Sequence, residues 1–431
     1  MARGWPNSSW SLLALMALVT GSGSTLSLAG QQGPPTFREA VDVIEVDVRV
    51  VTKAGVPIPS LAPSAFEVTI GGKQRRVVSA DFVRYDAVAE TTGAAPVDRS
   101  PAPTLVWQPA ASTTAKAARG RIYMLYVDTD TFDVVNSRNI LTTAASFVER
   151  LQPNDQIGLS VFPVGSQVDP TTDHKGVLSK LAAVVGTPNA AAAWEFALRP
   201  SEVAVLSTAT GSPRPDPRAA QLAAALCSDA ACGIRLRNEV QFMVQEYESQ
   251  AQHQLHNIRA LLKGMAPIPG HKTLVILSGG VPTTSRPGAR PDIANIDMIA
   301  GQEAQRADTA IYALFVDWHG AQLNTAENRR GARFFTSLED DRAMYRRSLD
   351  VFVGSSGGTL LTVLSGRGEA AFDQILRETS AYYVLGVEPA EADRDGKAKQ
   401  LTVKVNHPGA GVQGSRWVTV PKRTVSPAPM K

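Results

Sequence analysis

The stretch Arg121–Phe132 carries an apolar run, Ile122–Val127, that ends in two carboxylates, Asp128 and Asp130. Two chemistries suit such a pair. Carboxylate oxygens are hard donors of the kind that hold Mg²⁺ or Ca²⁺. Paired carboxylates can also divide the work of nucleophile and proton donor. A third reading involves no chemistry: Asp128 and Asp130 cap the following helix and meet its dipole, and Asp133 is available to either role. The apolar run itself suits a strand buried on both faces, as in a parallel sheet. Residues just past the end of such a strand sit where open α/β sheets bind ligands.

Other constellations are weaker. Gly354-Ser355-Ser356-Gly357-Gly358 matches G-x-S-x-G. A nucleophile elbow needs a strand before it and a helix after it. Here a helix pattern precedes and the apolar strand Thr359–Leu364 follows, so a glycine turn after a helix is the better account. His253 and His256 share a helix face but have no third ligand, which leaves them as solvent-exposed residues. His319 follows a strand end and is available for a loop contact. Arg329-Arg330 and Arg346-Arg347 are solvated charges that could meet an acidic partner. Cys227 and Cys232 are the only cysteines, and a pair this close is suited to a local disulfide in an oxidising compartment, with two free thiols as the alternative.

The elements that must position Asp128 and Asp130 alternate in kind. Strands are expected at Ile122–Val127, Ile157–Phe162, Thr273–Leu277 and Ala310–Val316. Helices are expected at Val134–Leu151, Val177–Val184, Leu236–Met265, Asp292–Ala307 and Asp341–Phe352. This alternation predicts an α/β fold, a Rossmann-like, doubly wound and mainly parallel sheet. Residues 119–379 make that domain, with an Ala- and Pro-rich insertion at about 190–235 on the binding edge or the surface. Before it, Val41–Thr52 alternates with one apolar face, and Phe66–Ile70 and Arg76–Phe82 form a hairpin. Residues 30–86 are thus a β module of immunoglobulin-like sandwich type, joined by an Ala/Pro-rich linker at 87–118. After it come C-terminal strands within 380–421, at Ser380–Val387, Gln400–Asn406 and Ser415–Val420, and a tail at 422–431. These strands either complete the first β module or extend the sheet.

The first 29 residues resemble a secretory signal peptide, with Arg3 followed by the apolar Ser11–Thr20 and small residues up to Ala29. A secreted or periplasmic protein without a membrane-spanning segment in its mature part is expected. Over 431 residues, hydrophobic content is 44%, charged content is 19% and the formal net charge is +3. Such a balance argues against a nucleic-acid partner.

Several dispersed motifs, in order, resemble the secreted von Willebrand factor A-related proteins of the acidobacterial type. Val46–Ile70 resembles their opening strand, turn and F-E-V segment. Phe147–Leu151 with Asp155–Gly158 resembles their helix-to-strand turn. Pro269–Gly280 resembles P-G-x-K-T-L-V-x-x-S-x-G, and Gly357-Gly358 and Tyr382–Gly386 resemble T-G-G and Y-Y-x-L-G. The likeness spans roughly residues 40–420. It implies a Rossmann-like A domain beside β structure, binding a protein partner without catalysis. It also implies a metal-ion-dependent adhesion site, in which an open position on a hard cation takes a carboxylate from the partner. Asp128 matches the first Asp of the D-x-S-x-S loop, Asp130 replaces its first Ser and Phe132 its second. Thr187 matches the Thr, and Gly279 stands where a later Asp belongs. The expected site is therefore a degenerate one, with Mg²⁺ or Ca²⁺ on Asp128, Asp130 and Thr187.

Two alternatives stand beside this. Asp128 and Asp130 also resemble the D-x-D-x-T of haloacid-dehalogenase-like phosphohydrolases, with Ser278 and Asp340-Asp341 in supporting roles, although Phe132 replaces the Thr. The other is a metal-free interaction scaffold.

Overall fold

The computed structural model describes residues 43–85, 120–131, 134–186, 194–292, 296–317, 338–354, 356–364 and 368–422. The expected signal peptide and linker, and Phe132, Asp133, Thr187, His319 and Arg329-Arg330, lie outside the described residues. The chain begins with strands β1 (Ile44–Thr52), β2 (Phe66–Ile70) and β3 (Lys73–Arg84). It then alternates through β4 (Ile122–Asp128), α1 (Val134–Glu149), β5 (Gln156–Phe162), β6 (Gln167–Thr171) and α2 (His174–Ala182). Three helices follow, α3 (Pro200–Gly211), α4 (Pro217–Leu226) and α5 (Ala230–Met265). Alternation resumes with β7 (Lys272–Ser278), α6 (Ile296–Arg306), β8 (Thr309–Asp317), α7 (Leu338–Gly354), β9 (Leu360–Leu364) and α8 (Glu369–Glu378). The last strands are β10 (Ala381–Glu388), β11 (Ala398–Val405), β12 (Ala410–Gly414) and β13 (Trp417–Thr419).

One sheet has six strands in the order β6-β5-β4-β7-β8-β9. Counted along the chain from β4 this is 3-2-1-4-5-6, the doubly wound order whose switch point falls between its first and fourth strands. Here those strands are β4 and β7. All neighbours pair in parallel except β6, which closes the edge antiparallel to β5. Every residue of β4, β7 and β8 is buried, because helices cover both faces. Tyr123, Leu125 and Val127 point into a core with Ile140, Phe147, Val177, Phe372 and Ile375. Met124 and Tyr126 point the other way, toward Ile258, Leu262, Ala304 and Phe352. Burying each large side chain contributes about 1.5–3 kcal/mol. At the entry to β4, Arg121 lies in a buried pair with Asp155, Nη2 to Oδ2 at 2.6 Å, and its backbone N–H donates to Asp155 Oδ1 at 2.8 Å. The Asp of the helix-to-strand motif thus anchors β4 to β5.

The expected insertion at about 190–235 holds α3, α4 and the start of α5. Strands of seven residues run about 23 Å, whereas the 36 residues of α5 run about 54 Å. The part of α5 carrying Leu255, Ile258, Leu262 and Met265 packs on the sheet. Since Met265 leads into β7, the other half of α5 must project past the carboxyl ends of the strands. There Leu236, Val240 and Met243 meet Val203 and Leu206 of α3 and Leu222 of α4 in a separate small core. Pro200 and Pro217 open α3 and α4 at their first turns, where a missing N–H costs nothing. Asp229 caps α5 by accepting from Cys232 N, and Cys227 and Cys232 form a disulfide with Cα atoms 5.4 Å apart.

The remaining strands form one curled antiparallel sheet of seven, β12-β1-β10-β3-β2-β11-β13. The question the sequence left open is answered by β10, which lies between β1 and β3. Val46, Val48, Val50, Phe66, Val68, Tyr383 and Leu385 fill its inner face. The opposite face of β1 carries Asp47 and Arg49 toward the amino ends of the parallel strands. Arg49 donates to Gly357 O at 2.6 Å and lies 5.2 Å over the Tyr312 ring. Gly357 has φ +77°, and a Cβ there would fall 2.2 Å from Gly414 O, so this junction requires glycine.

Candidate functional site

Asp128 closes β4 and Ser278 closes β7, so the switch point brings their side chains together. Ser278 Oγ donates to Asp128 Oδ2 at 2.8 Å. From above, α5 adds Gln254, whose Nε2 donates to the same Oδ2 at 2.5 Å and reaches Ser278 Oγ at 3.2 Å. All three side chains are buried. Thr131, in the 3₁₀ turn Thr129–Thr131, closes the loop: its hydroxyl donates to Asp128 O at 2.9 Å and accepts from Gly279 N at 2.7 Å. Gly280 leaves β7 with φ +74°, and a Cβ there would sit 2.1 Å from Tyr345 O of α7. Only glycine lets the loop pass so close to that helix.

The electrostatics follow from burial. Desolvation pushes the Asp128 carboxyl up to about 7, against the hydrogen bonds from Ser278 and Gln254, and the charge of Asp130 adds to the rise. Burial also drives the Tyr126 hydroxyl far above its ordinary range. Among the described residues, Asp128 Oδ1, Gln254 Oε1 and the Tyr126 hydroxyl are buried with no hydrogen-bond partner. Two of these are acceptor oxygens. A water, a proton on Asp128 or a small cation is what such oxygens require.

The residues expected at this site separate. Asp128 is at its centre. Asp130 lies in the same turn but is exposed. Thr187 and Phe132 lie outside the described residues. Gly279 contributes only its backbone N–H. The Asp340-Asp341 pair is inside α7, and Asp341 accepts from Ser201 N at 2.8 Å and lies 3.3 Å from Arg199, so it anchors the start of α3. Ser356 is buried, accepting from Ile311 N and donating to Val353 O, which is a structural role. His253 and His256 are exposed on α5, as are Arg346 and Arg347 on α7. Gln254, between those histidines, is the contributor that sequence reasoning missed. An amide carries no spacing signal, and the only hint was an uncharged polar residue at a core-facing position of α5. Beyond the site, Asp317 ends β8 and pairs with Arg342 at 2.6 Å. No helix among the described residues is long and apolar enough to cross a membrane.

No family model matches the chain, and no curated protein matches it. Among solved structures the chain is similar to BatB, a conserved hypothetical protein from Bacteroides thetaiotaomicron. That match has 11% identity and a TM-score of 0.29, covering 60% of this chain and 98% of that one. It is also similar to a von Willebrand factor type A protein from Catenulispora acidiphila, with 9% identity and a TM-score of 0.28, over 70% of this chain and 67% of that one. A third is proximal thread matrix protein 1 from the mussel byssus, in a structure with a zinc-occupied MIDAS motif. There the identity is 8% and the TM-score 0.29, over 63% of this chain and 49% of that one.

Proposed function

We propose that the chain is an extracytoplasmic, non-catalytic von Willebrand factor A-type protein that binds a protein partner at the carboxyl edge of its parallel sheet. The observation that carries this reading is the lone buried carboxylate at the switch point. Asp128 is held by Gln254 and Ser278, with Asp130 turned to solvent. A hydrolase using two carboxylates needs both in one pocket. In the phosphohydrolase alternative Asp341, one of the acidic pair, is taken up by the α7–α3 contact. The signal-like N-terminus and the Cys227–Cys232 disulfide support a location outside the cytoplasm.

A hard cation fits one part of this site. Asp128 Oδ1 is a buried acceptor with no described donor and is the oxygen that Mg²⁺ or Ca²⁺ would take. Asp130 and Thr187 are the further ligands that the family resemblance implies. Because Asp128 itself is buried, an ion there would meet a carboxylate of the partner only on the side of the exposed Asp130. A second, metal-free reading is favoured by a specific observation: two donors already satisfy Asp128 Oδ2. In that form the buried Asp128–Ser278–Gln254 cluster only ties β4, β7 and α5 together, and the partner would meet exposed residues of the same edge such as Asp130.

The test is thermal unfolding of the full chain in EDTA and then in excess Mg²⁺ or Ca²⁺, beside Asp128→Asn. A midpoint that rises with the cation, and fails to rise in the variant, supports the ion-dependent form. No rise leaves the metal-free form. Turnover of a generic phosphate monoester that disappears in Asp128→Asn sinks the non-catalytic reading altogether.

A further inference from the structure

At the opposite, amino end of the parallel strands, three residues distant in sequence converge. Asp47 projects from β1, His271 sits immediately before β7 and Asp308 immediately before β8. One ligand atom from each lies within 4.8 Å of the other two. His271 Nδ1 is 2.9 Å from Asp308 Oδ1 and 4.0 Å from Asp47 Oδ2. We propose that Asp47, His271 and Asp308 bind a divalent transition-metal ion of the zinc class, which staples the curled sheet to the turns that enter β7 and β8.

The spacing suits that assignment. Metal–ligand bonds of about 2.0–2.2 Å put ligand atoms roughly 3.0–3.5 Å apart in octahedral or tetrahedral sites. The observed separations straddle this range. The third pair, Asp47 with Asp308, lies within 4.8 Å, and the Asp308 carboxylate is half exposed. The donor set, one imidazole nitrogen and two carboxylates, selects zinc and its neighbours over Ca²⁺ or Mg²⁺, which prefer oxygen throughout. Two carboxylates and a neutral imidazole also balance a 2+ charge.

The ligands are held before any ion arrives. The His271 ring stacks on Tyr382 at 5.7 Å, and Tyr382 stacks on Tyr85 at 5.7 Å, which fixes the imidazole plane. Asp308 takes φ +45°, an uncommon conformation for a residue with a side chain, and its carbonyl accepts from Lys272 N at 2.9 Å. His271 and Asp308 therefore stand on adjoining strand starts, since Lys272 pairs with Thr309.

The space beside them is open to an ion. Asp47, His271 and Asp308 line a cavity of ≈ 90 Å³ together with Glu45 and Gln305, room for waters to complete a coordination shell. Arg49 binds Gly357 O, and Lys272 Nζ donates to Ile268 O and Gly270 O, both at 2.7 Å.

The test uses the full chain without an affinity tag, stripped with EDTA, titrated with Zn²⁺ by calorimetry and with Co²⁺ by visible absorption. His271→Gln, Asp308→Asn and Asp128→Asn run in parallel. Asparagine is chosen at 308 because it tolerates a positive φ. The expected result is one ion per chain with a nitrogen-bearing Co²⁺ spectrum. Affinity should fall about 10- to 100-fold or more in His271→Gln and Asp308→Asn and stay unchanged in Asp128→Asn. Circular dichroism in EDTA checks that each variant is folded. Absence of Zn²⁺ binding at millimolar concentration overturns the proposal, as does affinity that both variants leave intact. Binding lost only in Asp128→Asn overturns it too, by placing the ion at the other edge.

Discussion

The two ends of the parallel sheet carry polar clusters built on opposite terms. At the carboxyl end of β4 the carboxylate of Asp128 is sealed under α5 and held by neutral donors, Gln254 and Ser278. At the amino end two carboxylates and a histidine share a partly open cleft between sheets. The first arrangement is governed by desolvation, which raises the carboxyl to about 7. The second has access to water, which screens its charges and leaves room for an ion. One fold thus offers two kinds of polar site, and the difference lies in what covers each edge: a helix in one case, the rim of a curled sheet in the other.

If burial is what separates the two ends, the buried pair at the amino end should break the pattern of its surroundings. Arg121→Ala should cost about 3–5 kcal/mol by denaturant unfolding, because it strands Asp155 without its partner. A loss under 1 kcal/mol would mean that this edge is soft throughout.

The next effect belongs to Asp128. A carboxyl whose folded-state pKa is raised contributes stability that is complete below its unfolded value near 4 and is lost as pH rises through about 7. In EDTA the protein should lose at most about 4 kcal/mol between these pH values from this group, and Asp128→Asn should flatten the slope. Equal slopes in the two proteins would contradict the burial argument.

Gln254→Leu should cost about 1–3 kcal/mol, since it removes one of the two donors on a buried carboxylate. The same variant should carry the loss of stability on past pH 7, because fewer donors hold the charged form and the folded-state carboxyl is raised further. At the open end, His271→Gln in EDTA should change stability by no more than about 1 kcal/mol, as partly exposed ion pairs contribute little. A larger loss there would show that the cleft is structural even without an ion.

Much of the fold was legible because burial on two faces leaves a plain signature. The apolar runs at Ile122, Thr273 and Ala310 fall within one or two residues of β4, β7 and β8. The elements that escaped notice lack that signature. Gln167–Thr171 is a polar edge strand containing a proline, and Ala410–Gly414 is built of small residues on the rim of the curled sheet. The helices of the 190–235 segment were hidden because Pro200, Pro217 and Gly233 suggest breaks, although the two prolines occupy first turns. Helix α5 begins at Ala230, six residues before the expected start, since Cys232-Gly233 suggested a loop. At the candidate site Asp128 was legible from its place at a strand end. Gln254 was not, because nothing in its spacing links it to residue 128. Asp47, His271 and Asp308 were equally hidden, since each came from a different element and only the meeting of two sheets joins them.

The pairing of Arg84 with Ala381 has a mechanical consequence. Residues 86–380 leave the curled sheet at one point and return at the adjoining position on the neighbouring strand. Tension on the chain either side of residues 44–419 would load the hydrogen bonds of this sheet, first those between β1 and β12, which the chain joins directly to β13. The α/β portion between Arg84 and Ala381 hangs outside that path. A protein that held its partner at the carboxyl edge could therefore be pulled from its ends without the force passing through Asp128, α5 or the parallel strands.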